Sequence, residues 1–101
     1  MTPAQEIARG QKAKLILEDA IYKEAVEKVQ QSIFDDFAAT EPTKQDELLI
    51  HRLRLKALAD VTRQLANVMN TGRLAEAQVE QEKSMAERMA SRLRAGIRSV
   101  F

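Results

Sequence analysis

The chain has 101 residues, a formal net charge of +1, 45% hydrophobic and 31% charged residues, three glycines, two prolines and no cysteine. That length holds one domain. The few glycines and prolines leave little punctuation for the many turns of a β-protein, and the missing cysteines exclude a disulfide frame and a thiolate metal site. No apolar run approaches the ~18 residues of a membrane span, Met1–Glu6 lacks the pattern of a secretory leader, and a nearly neutral charge argues against a general nucleic-acid binder.

Pro3 lies in the first turn of a predicted helix, where its missing N–H costs nothing. Ala4, Ile7, Ala8 and Leu15 form a narrow apolar stripe on it, weakened by Gly10. Glu18-Asp19 marks the break, with Asp19 able to cap the next helix.

A second helix is expected over about 20–39. Tyr22, Val26, Val29, Ile33 and Phe37 share a narrow arc, Glu24, Glu27, Gln31 and Asp35 point away, and Glu24 pairs with Lys28 one turn on. Thr40-Glu41-Pro42-Thr43 ends it. Two starts fit the next helix: Thr40 as cap with Pro42 in the first turn, or Thr43 as cap with Asp46 three residues later.

The third helix, about 44–70, carries the widest apolar arc: Ile50, Leu55, Leu58, Val61, Leu65, Val68 and Met69. Leu49 and Leu53 fall outside it, so more than one neighbour is expected. Asn70-Thr71-Gly72 reads as a helix stop, with Gly72 or Asn70 able to take the left-handed conformation that closes many helices; Thr71 as a restart is the other reading. From Arg73 to Lys83 the apolar side is thin, just Leu74, Ala75 and Val79, and Glu82 interrupts it.

The strongest stripe comes last. At about 100° per residue, Met85, Met89, Leu93, Ile97 and Val100 share one face, and Arg88, Arg92, Arg94 and Arg98 spread over the other. A basic, methionine-containing amphipathic helix suits docking on a protein surface, with Met85, Met89, Leu93, Ile97, Val100, Arg88, Arg92 and Arg98 as the partner-binding set. Phosphate contact by the arginines is the alternative, but Glu76, Glu80, Glu82 and Glu87 lie just upstream and no aromatic interleaves for base stacking.

Other constellations carry less. His51 has no second histidine or cysteine to share a metal, so a packed or interfacial role is expected. Asp35-Asp36 and Asp46-Glu47 flank the 40–43 turn without calcium-loop spacing, and read as a solvated acidic tip. Gly10, Gly72 and Gly96 are isolated and form no phosphate loop. The sequence points to no cofactor, no metal and no enzyme.

Charge is distributed unevenly. Residues 18–47 carry nine acids against three lysines, while residues 48–72 carry four bases against Asp60. Opposite blocks of this kind favour two antiparallel helices lying side by side. The expected fold is therefore all-α: a helical hairpin domain with a short N-terminal helix over 1–72, then a long C-terminal amphipathic helix or arm over 73–101. An elongated chain of this size buries little apolar surface, so self-association is expected.

The run Ala13-Lys14-Leu15-Ile16-Leu17-Glu18-Asp19-Ala20-Ile21-Tyr22-Lys23-Glu24-Ala25 and the later Thr71-Gly72-Arg73-Leu74-Ala75-Glu76-Ala77-Gln78 resemble the small all-helical proteins that tailed bacteriophages encode near their head and DNA-packaging genes. The resemblance spans about residues 10–80. It implies a virion-assembly or packaging accessory protein, located in the bacterial host cytoplasm or the virion, with a phage head or packaging component as partner. The C-terminal arm lies outside the matching region.

Overall fold

The computed structural model describes the backbone of residues 1–100 and the side chains of residues 1–96. It contains three helices and no strand among the described residues: α1 over Pro3–Glu18, α2 over Ala20–Ala39 and α3 over Gln45–Val100.

Each short helix has a chemical start. The Thr2 hydroxyl accepts from the Gln5 N–H at 3.2 Å, and the Gln5 side-chain oxygen accepts from the Thr2 N–H at 2.9 Å, with Pro3 at the first helical position. Asp19 both ends α1 and begins α2. Its backbone is extended (φ −66°, ψ 128°), its N–H donates to the Ile16 carbonyl at 3.2 Å, and its carboxylate accepts from the Tyr22 N–H at 2.8 Å. An aspartate in that position satisfies one orphan donor of the new helix, worth about 1 kcal/mol.

The turn after α2 departs from both expected starts. Thr40 closes α2 rather than opening α3, because its hydroxyl donates back to the Asp36 carbonyl at 2.7 Å. Thr43 is not a cap either; α3 begins at Gln45, its first helical bond running from the Leu48 N–H to the Lys44 carbonyl at 3.1 Å.

A small polar network ties the two arms of this hairpin together. The Arg54 guanidinium donates to the Asp36 carboxylate at 2.9 Å and lies 3.2 Å from His51 Nδ1, while His51 Nε2 is 3.0 Å from the Thr40 hydroxyl. A guanidinium can only donate, so Nδ1 accepts, the ring proton sits on Nε2, and that N–H donates to Thr40. The His51 ring tilts at 58° against Phe37, centroids 6.3 Å apart. The histidine is therefore a packed joint of the hairpin. Contacts 36 to 54, 37 to 51 and 40 to 51 run in opposite chain directions, which makes α2 and the start of α3 antiparallel.

α3 does not stop at Asn70-Thr71-Gly72. It runs unbroken through them, and no described residue has a positive φ. Gly72 serves a different purpose: a Cβ on it would lie 2.8 Å from the Gly10 Cα and 2.9 Å from the Glu6 carbonyl oxygen, and a Cβ on Gly10 would lie 2.8 Å from the Gly72 Cα. The two helix backbones touch there. Three residues on in each helix, Ala13 and Ala75 are buried to 3% and 5% exposure. Paired small residues let helices approach until their backbones are in van der Waals contact, and the many close atom pairs replace side-chain interdigitation.

This contact gives α1 a different inward face. It consists of Ile7, Gly10, Ala13 and Leu17, not the stripe Ala4, Ile7, Ala8 and Leu15; Leu15 is exposed, as are Ala4 and Ala8. Gly10 is the centre of the contact and not its weak point. α1, more than α2, is the helix that packs against α3.

Candidate protein-interaction surface

The three helices build a rod and not a globule. The molecule measures 87 × 26 × 20 Å, with a radius of gyration of 24.1 Å, against about 13 Å for a compact chain of this length. Nearly all of the long dimension is α3, whose 56 residues rise about 84 Å.

Few apolar side chains are covered. Among the described residues the buried hydrophobic set is Ala13, Ile33 and Ala75, and only Ile33 is a large side chain. The accessible surface is 8285 Å², where a compact monomer of this mass would expose about 5,800 Å². The excess exceeds what a standard protein–protein interface buries in total, about 1,600 Å².

The uncovered apolar groups are spread along all three helices, Leu15, Ile21, Val61 and Leu74 among them, and two stretches gather several of them. On the hairpin, Phe34, Leu49, Ile50 and Leu53 are each about half exposed, although Ile50 belongs to the arc expected to face inward. α2 is too narrow to cover more than one flank of α3, so Leu55 and Leu58 are half-buried, while Ile50 and Val61, both in the expected inward arc, are left out.

The second stretch is the C-terminal part of α3. Ala75 is the last buried of its described residues, and every residue from 76 to 89 is exposed. Met85, Met89 and Leu93 are 54%, 62% and 67% exposed. Spaced four residues apart, they form a line on one side of the helix. Arg88 and Arg92 are exposed as well. Of the remaining residues of this set, Ile97, Val100 and Arg98 have side chains outside the described residues.

The arm's apolar line continues the face that α1 occupies. Counting about 100° per residue, Gly72, Ala75, Val79, Ala86, Met89 and Leu93 stay within one arc of the helix. α1 covers the beginning of that arc and stops, and the rest is bare. Sequence periodicity separates these stretches at Gly72; the unbroken helix joins them into one surface.

The hollows in the molecule are open grooves. A polar one of about 290 Å³ lies at the hairpin tip between Asp36, Thr40, Lys44, Glu47 and His51. No group of three or more metal-ligating side chains converges among the described residues. No described helix is long and apolar enough to cross a membrane.

No family model matches this chain, and neither does any curated protein or any solved structure.

Proposed function

We propose that this chain is a non-enzymatic helical assembly protein, acting through protein–protein contacts made by the exposed arm of α3 and by copies of itself. One observation carries this reading: with a single large side chain buried among the described residues, the chain exposes Met85, Met89 and Leu93 in line along the arm of α3. Bare apolar faces of this kind mark interaction sites on proteins that remain in solution. The resemblance to small phage head-region proteins supports placing the assembly in a virion or its DNA-packaging machinery, with a head or packaging component as the larger partner.

A second reading has its own observation. Arg88 and Arg92 are exposed on the arm, and an oligomer would multiply such weak phosphate contacts into nucleic-acid binding. Two sets of substitutions separate the readings. Met89→Ser with Leu93→Ser removes the apolar line, and Arg88, Arg92 and Arg98 to Gln removes charge. Under the assembly reading the serine pair abolishes association at low salt, while the glutamine triple changes mainly rate and salt dependence. Sedimentation of each variant, alone and with duplex DNA, makes the comparison. Strong, salt-sensitive DNA binding that the glutamine triple abolishes and the serine pair leaves intact would transfer the function to nucleic acid.

A further inference from the structure

The arm is divided electrically at its middle. From Glu76 to Glu87 it carries four glutamates against Lys83, and from Arg88 to Arg98 four arginines with no acid. The sign changes between Glu87 and Arg88, halfway along the stretch beyond Ala75, the last buried of the described residues. From these features we infer that the arm's occupant is the arm of a second copy, laid antiparallel. This deepens the assembly reading and rests on it.

The seam residues decide the orientation. Along the bare arc, Val79, Glu82, Ala86, Met89, Leu93 and Gly96 alternate at three- and four-residue spacing, the pattern of a two-stranded coiled-coil seam. In a parallel, in-register pair each Glu82 faces the other Glu82 inside the seam, and the acidic halves and the basic halves lie against themselves. In an antiparallel pair centred between residues 87 and 88, Val79 meets Gly96, Glu82 meets Leu93 and Ala86 meets Met89. Glu82 then lies one residue off the level of Arg92 of the second copy, Lys83 being level with it, and each acidic half lies along a basic half. Facing glutamates in an apolar seam carry the cost of burying like charges, whereas the opposite blocks, carried mostly on the faces away from the seam, steer the encounter.

Steric fit agrees. Gly96 stands opposite Val79 in this register, and among the described residues of its own chain a Cβ at Gly96 would meet nothing within 4 Å. The small seam residues Ala86 and Gly96 each face a larger one. The two hairpins end up at opposite ends of the pair. Two rods of 87 Å overlapping along the arms make a particle about 130 Å long.

The chain has no cysteine of its own, so engineered pairs report orientation cleanly. Full-length Val79→Cys and Gly96→Cys are prepared separately, then mixed and equilibrated with oxidised and reduced glutathione, and intact mass resolves the three possible disulfide dimers. The antiparallel arm pair yields the mixed 79–96 dimer, while Val79→Cys alone stays uncrosslinked because its two thiols lie about 25 Å apart along the axis. Changing Arg88, Arg92 and Arg94 to Glu makes the arm wholly acidic except for Lys83, Arg98 and Arg73, and it weakens dimerisation on the order of tenfold or more. Mixing that variant with Glu80, Glu82 and Glu87 to Lys restores association. Efficient crosslinking of Val79→Cys to itself would mean a parallel pair and overturn the inference. Association by light scattering with no crosslink in any mixture would place the contact off the arm and overturn it equally. Absence of any association at all would instead remove the assembly reading beneath it.

Discussion

Gly72→Ala is expected to destabilise the protein, while the identical change Gly96→Ala, further along the same helix, is expected to stabilise it. In an exposed helix interior, replacing glycine by alanine gains up to about 1 kcal/mol. At Gly96 no described atom of its own chain lies within 4 Å of the new methyl, so the gain is realised in the separate chain, at concentrations below those at which arms pair. At Gly72 the methyl would sit 2.8 Å from the Gly10 Cα and 2.9 Å from the Glu6 carbonyl. Both are backbone atoms that cannot rotate away, so α1 must shift as a body. Overpacking of this kind costs about 1–3 kcal/mol, enough to outweigh the propensity gain. Because α1 holds α3 through this contact, the loss should appear first as faster hydrogen exchange in α1 amides, then as a lower melting temperature. Shifts of the same sign in both variants would mean that the glycine contact does not hold the helices together.

Ile33→Ala should have the largest effect of any single truncation in the hairpin. Ile33 is 2% exposed and is the one large side chain fully buried among the described residues. Removing such a side chain costs about 2–5 kcal/mol, the lost transfer energy plus the cavity left behind. The half-buried Leu58 and Leu65 should cost less, and Leu49, at 55% exposure, should cost under about 1 kcal/mol. Urea denaturation of the full chain checks the order. Small and equal losses at Ile33 and Leu49 would show that the hairpin is held by something other than this contact.

The helical breaks differ in how well the residues announce them. Asp19 is readable because a carboxylate two or three residues before orphan N–H groups has a local function, and the structure shows it accepting from Tyr22. The α2–α3 turn is readable in place but not in detail. Thr40 can cap a following helix or bond back to a preceding carbonyl, and only the neighbouring Asp36, His51 and Arg54 decide between them. Asn70-Thr71-Gly72 misleads for a deeper reason. A glycine that ends a helix and a glycine that lets another helix approach look alike in one sequence, and the partner that distinguishes them is Gly10, far away in the chain. The same ambiguity makes α1 read as a weak element.

Charge patterning is informative about proximity but not about strength. The acidic 18–47 block and the basic 48–72 block do lie side by side, yet among the described residues one ion pair joins them, Asp36 to Arg54 at 2.9 Å. The other ion pairs lie within a single helix. Half-exposed pairs of this kind contribute about 0–1 kcal/mol. They bias the arrangement, and the Gly10–Gly72 contact and Ile33 hold it. The arm residues Met85, Met89 and Leu93 are legible as a face from spacing alone. Spacing does not show that this face continues the surface α1 packs against, since that depends on α3 passing Gly72 without a break.

The measurement that tests the assembly account most directly is the mass of the full chain in solution by light scattering, from low to high micromolar concentration. Self-association gives a mass that rises with concentration above the 11.4 kDa of one chain, with the melting temperature rising in step because association stabilises the folded state by mass action. A constant 11.4 kDa across that range, with a cooperative melt that does not depend on concentration, would contradict it.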